Sequence, residues 1–511
     1  MSVPETLFAP RRLRIVSALL LSLVTTFACA RGPEPPLRVP LASLGYLPVA
    51  SAALAASGSL STVHFIDEEH LLVTFNVRHL MKRLPDDPPD DTDRTVEAVV
   101  VHLTSGRVLA RTHWRLHDSG QYLWGLGYGR FLLRIRDTLT TFVPLENLSN
   151  GDPFVEQPFL ISSRRIAVVL LSPDRDLLTV ESLEHVAAVP GESAPQATAK
   201  RTQINFYRLV EPVHPVDKVI VQSAGLAVAT TPIDLSLTSA GYVEVLKESA
   251  DRWLFDFDSY AGKWVELSPF DTTCRPHAVF VSASEFVAFG CRGSSDRLAI
   301  GGFNMHGEQV WQQNFMDAHA FPNFAFAPAG GRFALSRNIV ASTAGITVDF
   351  APSQFTTQEI RVYQMYNGKQ LLRVEASPVQ RVGQNYDLSP EGLRLAVLHA
   401  EAVELYRLPA LSREDEVGIR AAKALQPEDT RAPVNLASHV RPAVPATSAV
   451  VPGNSAKVAE PVAPSIAPTP ALKPEPAATA PLGDVPAETG ERRKPPTLYT
   501  LPTDKPPEQP R

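Results

Sequence analysis

Ser389-Pro390-Glu391-Gly392-Leu393-Arg394-Leu395-Ala396 repeats the turn chemistry of an earlier stretch, Ala327-Pro328-Ala329-Gly330-Gly331-Arg332-Phe333-Ala334. Both read as a small residue, Pro, a free position and Gly, followed by an apolar strand. Alternating apolar residues lead into each: Phe324 and Phe326 before one, Tyr386 and Leu388 before the other. Proline presets the backbone of such a turn, and glycine accepts conformations that other residues avoid. A hairpin that recurs with this chemistry marks a β architecture assembled by radial repetition rather than a lone sandwich.

Outward from these hairpins, short strand patterns fill Leu41 to Pro409 and sort into about seven groups. The first runs from His64-Phe65 through Leu71 to Phe75 and Val99 to Leu103, ending at Val108 to Trp114. The second takes Tyr122 to Trp124, Arg130 to Leu133 and Thr140 to Phe142. The third takes Arg165 to Leu171 and Gln203 to Leu209, and the fourth Leu226 to Thr230 with Trp253 to Leu267. A hairpin between Cys274 and Cys291 opens the fifth, which ends at Trp311. The sixth runs from Phe324 to Leu372 and the seventh from Tyr386 to Tyr406. Helical periodicity is almost absent here, so helices are not available to cover the sheets, and closure into a ring would bury faces and hide edges together. The expected fold is therefore all-β: a single β-propeller over residues 41–410, with about seven four-stranded blades. The last group shows only three strands, and Leu44 to Val49 is the expected fourth, joining the two ends of the chain. The competing architecture is a pair of β-sandwiches divided near Pro190 to Lys200.

In these stretches the chain resembles the tryptophan-aspartate and pyrroloquinoline-quinone-type propeller repeats. Ser389 to Ala396 matches their Ser-Pro-x-Gly-x-x-Leu-Ala hairpin, and Ala327 to Ala334 matches with one small-residue exchange. A looser late-blade pattern ending in Trp recurs at Gly106 to Trp114, Gly262 to Trp264 and Gly307 to Trp311. The tryptophan-aspartate dipeptide itself is missing. The resemblance implies a fold and a binding habit, not a reaction.

The N-terminus reads as an export signal, residues 1–30. Arg11, Arg12 and Arg14 precede an apolar run from Ile15 to Phe27, and Ala28-Cys29-Ala30 offers a small-x-small cleavage site. The run is too short for a comfortable membrane span, so no span is expected after cleavage. The localisation expected is periplasmic or secreted, with a lipid anchor through Cys29 as the alternative. Cleavage leaves Cys274 and Cys291 at the open end of one hairpin, where an oxidising compartment would join them in a disulfide.

Formal charge is −6 with no long basic run, which argues against nucleic acid as a partner. No nucleophile elbow, zinc-protease helix, Walker loop or dinucleotide fingerprint is present, so no catalytic residue, cofactor site or metal site is nominated. Gly125 to Gly129 lies between two strands and reads as a tight turn. Asp256 and Asp258 alternate with Phe255 and Phe257 and read as an exposed polar face. His113 and His117 straddle Trp114 without metal spacing, and Leu84 to Asp93 reads as a solvated acidic loop. After the ring, Ser412 reads as the N-cap of a short helix in residues 411–426, with Val417, Ala421 and Leu425 as its apolar stripe. Pro, Ala, Val and Thr dominate residues 427–511, a composition that predicts disorder. The function expected is non-catalytic: a binding or scaffold module for a protein or glycan partner in the cell envelope. The alternative is a propeller enzyme (a hydrolase, lyase or quinone-dependent dehydrogenase) with its site at the central mouth.

Overall fold

Seven four-stranded antiparallel sheets follow one another along the chain and form the blades of a β-propeller. The structure, a computed structural model, describes residues 36–46, 61–77, 94–116, 121–148, 151–162, 164–184, 201–210, 220–229, 236–315, 319–340, 355–377, 379 and 384–427. The export signal with Cys29, the acidic loop 84–93, His117, the stretch 190–200 and the tail from 428 lie outside the described residues. Strand β1 (Leu37–Pro40) comes first in the chain but belongs to the last blade. Blade 1 holds β2 (Thr62–Phe65), β3 (His70–Val77), β4 (Arg94–His102) and β5 (Arg107–Leu116). Blade 2 holds β6 (Leu123–Gly127), β7 (Arg130–Ile135), β8 (Thr138–Phe142) and β9 (Gln157–Ile161), with helix α1 (Pro144–Leu148) between the last two. Blade 3 comprises β10 (Ile166–Leu171), β11 (Leu177–Glu184), β12 (Arg201–Val210) and β13 (Ile220–Ala229). In blade 4 the strands are β14 (Ser236–Leu237), β15 (Gly241–Lys247), β16 (Arg252–Ser259) and β17 (Trp264–Asp271). Those of blade 5 are β18 (His277–Ser282), β19 (Glu285–Arg292), β20 (Ser294–Asn304) and β21 (Gln309–Phe315). Blade 6 is made of β22 (His319–Ala327), β23 (Arg332–Val340), β24 (Phe355–Gln364) and β25 (Gln370–Ala376). The last blade joins β26 (Tyr386–Leu388), β27 (Arg394–Leu398) and β28 (Ala402–Arg407) to β1, and helix α2 (Arg413–Lys423) follows.

The expected ring and its seven blades are present, with two corrections to strand placement. Residues 226–229 close blade 3 as part of β13 instead of opening blade 4. The closing strand is Leu37–Pro40, not Leu44 to Val49: Leu37 pairs with Leu405, Val39 with Val403 and Pro40 with Ala402, while Leu41 to Leu44 turns as a short 3-10 helix. The prolines around this strand disguise it. Pro40 lacks an N–H, yet an edge strand needs hydrogen bonds on one side only, so proline is tolerated at its end.

The core lies in the seams between blades rather than in one central layer. At the seam of blades 1 and 2, Trp114 packs against Phe142 and Phe154. Between blades 5 and 6, Trp311 stacks on Phe333 and Tyr363 and donates its indole N–H to the Met365 carbonyl at 2.6 Å. Two of the three late-blade tryptophans thus anchor neighbouring blades, whereas Trp264 is 40% exposed. Blade 5 also carries the expected disulfide between Cys274 and Cys291, with Cα atoms 5.3 Å apart.

Candidate binding site at the axial mouth

Turns between the first and second strands of the blades line a cavity of about 780 Å³ at one end of the ring. Six of the seven blades contribute. Ile66, Asp67 and Glu68 come from blade 1, and Tyr128 and Gly129 from blade 2, with Leu145 and Glu146 of α1 beside them. Pro173 to Asp176 belong to blade 3, Ser282 to Glu285 to blade 5, Phe326, Pro328, Ala329 and Gly331 to blade 6, and Pro390 and Glu391 to blade 7. Helix α2 lies along the rim and adds Ile419, Ala422 and Lys423. The two hairpins that decide the fold are therefore also part of the mouth, as is the tight turn at Tyr128-Gly129; Gly125 to Gly127, expected in that turn, belong to strand β6.

Those two hairpins touch, and they are not identical. The left-handed residue is Gly392 (φ 71°) in one but Gly331 (φ 58°), a position later, in the other. A Cβ on Gly330 would stand 2.4 Å from the Glu391 carbonyl oxygen, so this glycine is required by the approach of the neighbouring turn. Arg332, fully buried, ties them together. Its Nε donates to Gln364 Oε1 at 2.9 Å, its Nη1 to the Gly392 carbonyl at 2.6 Å and its Nη2 to the Pro409 carbonyl at 2.7 Å. The last bond fixes the chain where it leaves the ring for α2. That helix starts with a capping box between Ser412 and Asp415, and Asp415 Oδ1 accepts from the Tyr366 hydroxyl at 3.2 Å. Its buried face is Ile419 and Ala422, while Val417 is 55% exposed. The expected stripe through Val417 and Ala421 is thus rotated, because Gly418 lies against the Tyr366 ring and sets the angle of docking.

The same turn occurs a third time, at Ser172-Pro173-Asp174-Arg175, with arginine in the glycine position. Ser172 Oγ accepts from Asp176 N and Leu177 N, as Ser389 Oγ accepts from Leu393 N and Arg394 N. Arg175 takes φ 64°, close to that of Gly392. A left-handed arginine costs on the order of 1 kcal/mol and persists where its surroundings hold it. The signal was in the sequence: Ser-Pro, then Leu178 and Thr179 where the repeat has Leu395 and Ala396. The arginine in the glycine position hid it.

The charge of Arg175 acts on two buried groups of blades 1 and 7, His64 and Asp387. Together with burial it lowers His64 to about 4, burial being the larger cause. On the innermost strand of blade 7, Asp387 accepts from Phe65 N and Leu388 N at 2.9 Å each. Burial raises its carboxyl to about 6, against those hydrogen bonds and the charge of Arg175. Asp387 therefore joins the innermost strands of blades 7 and 1, and its oxygens are committed to backbone. In the mouth, burial raises Glu285 to about 7 against a hydrogen bond from Ser282. Around it the lining is acidic: Asp67, Glu68, Glu146, Asp174, Asp176, Glu285 and Glu391 against Arg175 and Lys423. Sequence reading missed this set because its members come from separate blades.

Asp256 and Asp258 are not an exposed face but 5% and 3% exposed, respectively. They lie between blades 4 and 3, where Asp256 stands opposite both Glu244 and Glu266. Burial and the charge and hydrogen bond of Asp258 raise the Glu244 carboxyl. His113 lies 3.8 Å from Glu97 on the outer strand of blade 1, away from the mouth. Among the described residues, no three His, Cys, Asp or Glu side chains are grouped to hold a metal ion, and no helix is long and apolar enough to cross a membrane.

No protein-family model and no curated protein matches the chain. Solved structures similar to it include the acylaminoacyl peptidase of Pyrococcus horikoshii, at 10% identity and TM-score 0.40 over 73% of this chain and 56% of that one. The C-terminal WD40 domain of Sif2 is similar at 10% identity and TM-score 0.32, covering 74% of this chain and 99% of the domain. The β-propeller domain of Cps50 (Swd1) from Myceliophteria thermophila matches at 11% identity and TM-score 0.31, over 68% and 96%. The chain spans about half the length of the peptidases it is similar to. At these identities the likeness concerns the fold alone, which the order of the seven sheets establishes independently.

Proposed function

We propose that the protein is an exported, non-catalytic propeller that binds a protein or glycan partner through the axial mouth. One observation carries this reading: turns from six blades, hung on rigid sheets, enclose a cavity within the ~300–1,000 Å³ range of ligand sites. Propeller loops positioned in this way are recognition surfaces. A photo-crosslinking residue at Tyr128, which is 68% exposed at the mouth, tests it in the intact cell. A discrete adduct from position 128 and none from Glu401, on the opposite face, is the expected outcome; equal labelling from both positions would sink the reading. Export is supported by the Cys274–Cys291 disulfide, which suits an oxidising compartment. The mass of the mature chain tests it, with Arg31 as the expected first residue.

The second reading, an enzyme working at the same mouth, rests on Glu285. A carboxyl raised to about 7 has the protonation a general acid needs near neutral pH. Its test is turnover of ester, peptide and glycoside substrates by the wild type but not by Glu285→Gln. Absence of any such turnover leaves the binding reading in place.

A further inference from the structure

The mouth offers a ligand mostly hydrogen-bond acceptors. Seven carboxyls line it against two cations; Glu285 among them is held toward its neutral form by burial, and an ionised carboxylate accepts but does not donate. A neutral sugar presents donors and acceptors alike, whereas an ammonium or guanidinium group only donates. Between the carboxylates stand apolar walls, Ile66, Leu145 and Phe326, so the occupant must carry apolar groups beside its charge. Helix α2, already seated at the rim, has this character: it brings Ile419 and Ala422 inward and places Lys423 among the carboxylates. The cavity, about 780 Å³, has room for a few side chains and not for a folded domain.

We propose that the mouth docks a cationic, amphipathic peptide segment of a partner protein, an inference that rests on the reading of the mouth as the binding surface. Charge complementarity steers such a segment in and makes its affinity fall with salt. A cation arriving beside Glu285 favours the ionised carboxylate, so docking near pH 7 releases protons.

The test uses the full mature chain and a short peptide of alternating Lys and Leu, with its Glu/Leu counterpart and a chito-oligosaccharide as comparison probes. Titration calorimetry should show binding of the Lys/Leu peptide alone, weakening as salt rises. Its heat should vary with the ionisation enthalpy of the buffer near pH 7. The triple variant Glu146→Gln, Asp176→Asn, Glu391→Gln should bind roughly tenfold more weakly, and Glu401→Gln on the opposite face should bind as the wild type does. Glu285→Gln should keep binding but lose the buffer dependence, a readout that needs no comparison of folding between variants. Peptide binding untouched by the triple variant would place the contact elsewhere and overturn the proposal. Binding of the oligosaccharide instead, weakened by the same variant, would overturn the peptide class while keeping the mouth. Failure of all three probes at low salt would overturn the mouth reading together with the proposal.

Discussion

Glu359 in blade 6 holds three arginines with one carboxylate. Its Oε1 accepts from Arg337 Nη2 at 2.5 Å and Arg361 Nε at 2.7 Å, and its Oε2 from Arg373 Nε at 2.6 Å. Arg337 and Arg361 also sit 4.1 and 4.8 Å from the centre of the Phe315 ring in blade 5, so the cluster closes a seam. Burial pushes the Glu359 carboxyl up, but the hydrogen bonds and charges of Arg361 and Arg337 outweigh it and hold it below the ordinary value. Its stabilisation is therefore present above the usual carboxylate range and lost as pH falls through the depressed value. Glu359→Gln leaves buried guanidinium charge uncompensated and should cost about 3–5 kcal/mol in urea unfolding near neutral pH. Glu285 works with the opposite sign. Its carboxyl is raised to about 7, so it stabilises the fold when protonated, and that contribution is lost as pH rises from about 4.5 to about 7. In Glu285→Gln the melting temperature should no longer carry this fall; subtracting the variant's pH profile of unfolding free energy from the wild type's isolates a term on the order of 3 kcal/mol. A flat difference would show that Glu285 titrates normally. Neither cluster was legible in the sequence, since both depend on which strands become neighbours. Arg175 escaped sequence reading for another reason: its Ser-Pro turn carries arginine where the repeat has glycine, and only the fold shows its left-handed backbone.

At the scale of elements, β1 and α2 show how closely sequence patterns must be read. The ring was expected to close through its N-terminal region, and it does. The strand was misplaced because Leu37-Arg38-Val39-Pro40 buries one residue, Val39, and is framed by prolines that disfavour a strand reading. Its hold is pairing with β28, an ion pair from Arg38 to Glu404 at 3.1 Å, and Val39 in the seam cluster. A mature chain beginning at Leu41 leaves β28 as an open edge, which invites pairing with a second copy. It should melt earlier than the full chain and aggregate on heating, with both effects visible by scattering during a thermal ramp. Val39→Asp should reproduce the earlier melting without shortening the chain. For α2, the cap and length were readable from Ser412 and the acidic first turn, but the docked face was not, because Val417 and Ile419 are equally apolar in sequence. Ile419→Asp should therefore free the helix and raise amide exchange from Glu416 to Lys423, whereas Val417→Asp should change little. Equal exchange in the two variants would mean that α2 does not dock through Ile419.

Across the whole molecule, the ring was legible because its cause is distributed: many short strands, few helices, and a hairpin repeated with the same turn chemistry. The mouth was legible only as a place, since the side chains meeting there come from six blades far apart in sequence. The same distribution makes a prediction about cooperativity. Each blade buries its faces against its two neighbours, so no seam can open without exposing the next. Two perturbations in distant blades should then report on one transition. Reducing Cys274–Cys291 in blade 5 frees a loop with a sequence separation of 17 and should cost about 2–4 kcal/mol, largely by loosening the unfolded chain's restraint. Val39→Asp acts in blade 7 and shares no partner with that loop. If the ring unfolds as one unit, the two costs add to within about 0.5 kcal/mol, and tryptophan fluorescence and circular dichroism give the same urea midpoint for the reduced variant. Separate midpoints, with blade 5 melting first on reduction, would show that the blades unfold as independent stacked repeats and that closure by β1 contributes locally.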